Sequence, residues 1–121
     1  MAGAELRMPL QAEGVSGELV VAPVVVAKLA GSEAHATYGV VAMQASPMKR
    51  LARLGKSGIT DGVVVEVDEG RLHISLHVIM ERGVNLAQVT ANLQEQVRYR
   101  VEERAGLPVS DITVRVEDLQ D

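Results

Sequence analysis

The side chains best suited to proton transfer or metal binding near neutral pH are three histidines, His35, His73 and His77. His73 and His77 stand four residues apart in RLHISLHVIME, whose alternation of apolar and polar residues reads as a strand. At about 3.3 Å per residue the two lie roughly 13 Å apart, too far for one metal ion unless a third element comes between them. The same spacing on a helix would chelate. Both are expected to be solvated or interface side chains. His35 falls near a helix end, where its charge favours the C-terminal dipole. Cysteine is absent, which removes thiolate metal sites, disulfides and thiol nucleophiles together and fits a reducing cytoplasm. No metal and no cofactor is expected.

Gly55-Lys56-Ser57 matches the end of a phosphate-binding loop, but that loop needs a glycine where Arg50 stands and a helix where a strand follows. Gly55-Lys56-Ser57-Gly58 also has the GXXG spacing that clamps a nucleic-acid backbone when it joins two helices. An RNA-binding module built on this loop is the alternative function, although the second helix is missing. No serine stands in a G-x-S-x-G elbow. Ser32 and His35 are three apart on one predicted helix, a pairing that helix surfaces produce by chance. The acids of VEVDEG lie in a hairpin turn, where Asp and Gly are good turn formers. No catalytic residue is expected. One basic cluster remains, Lys49, Arg50, Arg53 and Lys56. Such a run is either a solvated face or an electrostatic docking patch. As a patch it would suit acidic surfaces, including the chain's own Glu66, Asp68, Glu69 or acidic tail. These four residues are the candidate partner-binding residues.

The elements that would position these groups follow from periodicity. Residues 1–16 mix acids, glycine and polar side chains without an apolar signal core, and read as a disordered tail. A short strand from Gly17 to Val21 precedes Pro23, which suits a first helical position. PVVVAKLAGSEAHAT reads as a first helix ending near Ala36, weakened by its β-branched start and by Gly31. YGVVAM, residues 38–43, reads as a strand, and Pro47 opens a short helix to Leu54. Gly55 and Gly58 bound a turn. VVVEV and RLHISLHVIME flank Asp68-Glu69-Gly70 as a hairpin. In its second strand Leu72, Ile74, Leu76, Val78 and Met80 face one way, while His73, Ser75, His77 and Glu81 face the other; Ile79 breaks the polar face. Asn85 and Gln88 have capping-box spacing. Leu86, Val89, Leu93, Val97, Val101 and Ala105 then trace a long helical stripe that Gly106 and Pro108 end. DITVRVE is a last strand with Ile112, Val114 and Val116 inward.

The order is β-α-β-(short α)-β-β-α-β. It predicts an α+β fold, a small and mostly antiparallel sheet with two main helices on one face, forming one domain over 17–121. The 121 residues suffice for one core. Phe and Trp are absent, so Val, Leu, Ile and Ala must fill it. With Tyr38 and Tyr99 the only aromatics, stacking platforms for bases are nearly missing. The net charge of −4 gives no general pull toward nucleic acid or anionic lipid. No apolar run approaches the roughly 18 to 20 residues needed to span a bilayer. Exposed apolar positions such as Val64 and Ile79 are expected to add area to protein contacts.

Together these segments resemble the bacterial alkaline shock protein family, envelope-stress-response proteins of mainly Gram-positive bacteria. The resemblance runs through GELVVAPVVVAKLAG, YGVVAM, KSGITDGVVVEVDEGRLHISLHVIMERGVNLAQV and ANLQEQVRYRVEERAGLPVSDITVRVEDL, roughly residues 17 to 119. The chain departs from the family in its short, basic 45–58 segment, which relatives often have longer and richer in glycine. The resemblance implies a cytoplasmic, non-enzymatic protein that associates with itself and with protein partners. Some such proteins are held at the membrane by a separate anchor protein, and others are linked to lipid metabolism. The family has no established catalytic residues to carry over.

Overall fold

The computed structural model describes residues 6–12, 14–44, 57–60 and 62–121. Its centre is a hairpin of β5 (Val63–Asp68) and β6 (Arg71–Glu81). Asp68 and Arg71 close the ladder, and Glu69 and Gly70 make the turn with positive φ of 51° and 76°. Positive φ at both central positions matches the right-handed twist of the strands, and glycine adopts it at no steric cost. Leu72, Ile74, Leu76, Val78 and Met80 are all buried, as their alternation predicts. His73, Ser75, His77 and Ile79 on the opposite face are half-buried.

Among the described residues three further strands surround this hairpin. β4 (Ser57–Thr60) pairs outside β5, and β3 (Val40–Met43) pairs antiparallel with β6. β7 (Asp111–Gln120) runs parallel to β6 along the whole stretch from His73 to Glu81. One edge of β6 is therefore filled by β7. The other is shared end to end by β5, over residues 71–76, and β3, over residues 78–80. At their junction the His77 N–H donates to Gly62 O at 2.7 Å, and His77 O accepts from the Gln44 N–H at 2.9 Å.

α1 (Pro23–Ala36) and α2 (Leu86–Ala105) pack on one face of this sheet. Pro23 does open α1. Asn85 caps α2 by accepting from the Gln88 N–H, and Gly106 ends it with φ of 72°. Gln88 does not reach back; its amide donates to Asn92. Val89, Leu93, Val97, Val101 and Ala105 are buried along α2, whereas Leu86 at its start is 38% exposed. Thr37 Oγ1 donates to Gln96 Oε1 at 3.0 Å, and Arg100 pairs with Glu33 at 3.0 Å, which ties the helices together. The class is α+β, mostly antiparallel, with β6–β7 the one parallel pair among the described residues.

Three expectations need correction. The tail expected over 1–16 is not structureless in its described part: β1 (Leu6–Ala12) pairs antiparallel with β2 (Val15–Val21) as a second, two-stranded sheet. Leu6 and Met8 alternate with Arg7 and Pro9, and Leu6 and Val21 join the common core. Arg7 pairs with Glu18 across the hairpin at 2.7 Å. Second, Gly58 does not bound a turn, because Ser57 and Gly58 lie in β4 opposite Glu66 and Val65. Third, Val64 is only 4% exposed and offers no apolar surface. The short helix expected over 47–54 lies outside the described residues.

Candidate functional site

The sheet face turned away from the helices carries the residues first considered for chemistry. β6 places His73 and His77 there, four residues apart on the same side of the pleat with Ser75 between them. β7, in parallel register, brings an acid to each. His73 Nδ1 lies 3.0 Å from Asp111 Oδ2, and His77 Nδ1 lies 2.7 Å from Glu117 Oε2. The two histidines are thus not loose surface groups but latches between strands. Glu117 is the extra residue of a bulge, since Val78 pairs with Val116 and Ile79 with Asp118. The bulge turns its carboxylate back to His77, whose side chain is 13% exposed, and to Arg115 Nε at 3.4 Å. The hydrogen bond from His77, helped by the Arg115 charge, holds the Glu117 carboxyl below its ordinary range. Sequence reasoning missed both acids, because each lies about 40 residues from its histidine and only a parallel β6–β7 pairing joins them. His35 stands exposed in the last turn of α1, as expected. Among the described residues no group of three or more His, Cys, Asp or Glu side chains could hold a metal ion.

A shallow groove lies beside this face, between α2 and the start of β7. Gln94, Arg98 and Tyr99 line one wall; Val109, Ser110 and Ile112 line the other. Gln94 Nε2 donates across it to Ile112 O at 2.9 Å. Glu102 Oε2 accepts from the Val109 N–H at 3.0 Å and faces Arg98 Nε at 3.5 Å. Tyr99 is 64% exposed, and Tyr38, far along the chain at the turn before β3, is 79% exposed. The groove is a surface of hydrogen-bonding groups and half-covered aliphatic side chains, which suits a polypeptide. Lys49, Arg50, Arg53 and Lys56, the predicted partner-binding residues, lie outside the described residues.

A model of the alkaline shock protein 23 family, of cell envelope-related function, matches residues 11–120. The chain belongs to this family. Among its relatives, the uncharacterized protein YloU of Bacillus subtilis is 27% identical over 107 residues, covering 86% of this chain and 89% of its own length. An uncharacterized Streptococcus pyogenes protein is 27% identical over 99 residues, covering 79% of this chain and 82% of its own. The uncharacterized protein YqhY of Bacillus subtilis is 26% identical over 105 residues, covering 86% and 78%. No solved structure matches. The family match takes in β2 to β7 and both helices, and most of β1 lies before it. Among the described residues no helix is long and apolar enough to cross a membrane.

Proposed function

We propose that this chain is a non-catalytic binding protein of the cell envelope, working in the cytoplasm by associating with copies of itself and with protein partners. The observation that carries this reading is the family match over residues 11–120, which attaches a cell envelope-related function to this one fold. The chemistry on the sheet face agrees with it. His73 and His77, the best proton-transfer groups on the sheet, are engaged in strand-to-strand pairs with Asp111 and Glu117. What faces solvent is contact surface, with Tyr38, Tyr99, Val15 and Val41 all well exposed. A partner that anchors the protein near the membrane, or one that ties it to lipid metabolism, would engage the same surfaces.

In this reading Lys49, Arg50, Arg53 and Lys56 steer one copy toward acids of another. Glu66, Asp68 and Glu69 are exposed at and beside the β5–β6 turn, and Asp118 and Asp121 are exposed at the chain end. Surface ion pairs contribute only about 0 to 1 kcal/mol each, so they set encounter and orientation while apolar area holds the contact. Light scattering across a salt series tests this with the wild type and a variant carrying Glu at all four basic positions. Association is expected in the wild type and should weaken with salt and with charge reversal. A folded wild type that stays monomeric at high micromolar concentration rejects self-association. Identical, salt-indifferent oligomers in both proteins remove the basic segment from it.

A further inference from the structure

The hydrogen bonds around β6 show which way the backbone of β7 points. Leu72 O accepts from the Ser110 N–H at 2.9 Å, while the His77 N–H and C=O are taken up by Gly62 and Gln44 on the other side. Even-numbered residues of β6 therefore turn their backbone groups to β7, and odd-numbered ones to β5 and β3. With His73 opposite Asp111, the β7 residues bonded into this ladder are Asp111, Thr113 and Arg115. Ile112, Val114 and Val116 turn theirs outward. The bond from Gln94 to Ile112 O, made from outside the sheet, shows the same direction independently. Beyond the bulge Gln120 O accepts from the Arg82 N–H, so Leu119 faces out, and its N–H is taken by Asp118 Oδ1 at 2.8 Å.

The outer edge of β7 is thus closed by side chains toward both ends, at Ile112 O and Leu119 N, and open in the middle. Among the described residues no strand pairs with it. The side chains of Ile112, Val114 and Val116 pack against the core only in part. An open edge beside a half-covered aliphatic row is a template for another strand.

We propose that this edge is a two-fold pairing surface for a second copy of the chain, joining two sheets through antiparallel β7 strands. The inference rests on the self-association proposed above and gives it a location. The occupant follows from the residue pattern. Centring the pair on Val114 sets Val114 against the partner's Val114, and Ile112 against the partner's Val116. The outward-turned groups of the three residues then meet outward-turned groups; with each Ile112 C=O already taken by Gln94, about four hydrogen bonds form. The aliphatic row continues unbroken across the axis. On the opposite face Arg115 lies across from the partner's Thr113 and one diagonal step from the partner's Asp111, within reach of a long side chain. Sliding two residues one way sets Arg115 against its own copy and Ile112 against Asp118. Sliding the other way sets Val116 against Ser110, whose N–H is spent on Leu72.

The chain has no cysteine, so single cysteines test the register cleanly. Opposed residues of a hydrogen-bonded antiparallel pair have Cα atoms about 5.5 Å apart, within disulfide range. Under mild oxidation of the full-length protein, Val114→Cys should cross-link at least about tenfold faster than Tyr38→Cys, because the pair presents it to itself at high effective concentration. Val116→Cys alone should not exceed that control, whereas Ile112→Cys with Val116→Cys should. Val114→Pro removes only an outward N–H, and Thr113→Lys sets a cation against the partner's Arg115. Each should lower the mass seen by light scattering while circular dichroism stays native. Val114→Cys no faster than Tyr38→Cys, in a protein that still associates, overturns the β7 interface and leaves self-association standing. The same holds if mixed oligomers with an unrelated strand-donating peptide form at this edge while copies do not. A monomeric wild type defeats both readings together.

Discussion

A methyl group on Gly62 would sit 2.7 Å from Met43 Cβ and 2.9 Å from His77 O, and the residue has φ of +78°. Only glycine meets both demands, because the end of β3 and the start of β5 abut there over one residue of β6. The Asp-Gly of TDGVV is a local signal for a two-residue turn with positive φ, but nothing local announces the close approach of Met43 and His77. The need for glycine arises from two strands sharing an edge, a relation between residues about 20 apart. The same holds for Glu117, whose role depends on a bulge that alternation alone does not reveal. Its carboxyl is held below the ordinary range by the His77 hydrogen bond and by Arg115. A depressed folded-state value means that this stabilisation is complete above the ordinary carboxylate range and is lost as pH falls through it and below. Glu117→Gln should therefore flatten the loss of stability with acid. Urea midpoints of the two proteins, measured between about pH 3 and 6, check this, since the ordinary value lies near 4.3. Parallel curves would show that the latch contributes nothing to acid sensitivity.

Periodic elements were readable and relational ones were not. β6 and α2 carry long patterns of clear period, two and about 3.6 residues, and both appear where those patterns put them. Leu93 sits at the middle of the α2 stripe and is fully buried. Leu93→Ala should cost about 2 to 5 kcal/mol, seen as a lower thermal midpoint, because a cavity there lies under both the sheet and α1. An unchanged midpoint would mean that the stripe is not the core. β1 was missed although Leu6 and Met8 alternate with Arg7 and Pro9. The run is short and set among acids, glycines and polar residues, and Pro9 is tolerated because a two-stranded sheet is all edge. The parallel pairing of β6 with β7 could not be read either. Two strands separated by α2 fit either orientation until α2 is seen to return the chain to the start of β6.

At the scale of the whole molecule, the two proposals invoke unlike contacts, an aliphatic strand edge that matches itself and segregated charge that does not. A self-matching contact closes at two copies, whereas a head-to-tail contact propagates. Ionic contacts are screened, with a Debye length of about 3 Å at 1 M salt, while strand pairing is not. Raising salt should therefore reduce the scattering mass to that of a dimer and stop there. Passage straight to monomer would assign all association to charge. The aliphatic core has a further consequence, for optics. With Trp absent and both tyrosines at the surface, no chromophore reports on the interior. Unfolding will be nearly invisible in intrinsic fluorescence and must be followed through the amide bands. Tyr99, on the wall of the α2–β7 groove, is left as a built-in emitter beside the proposed seam, whose intensity should change with protein concentration rather than with denaturation.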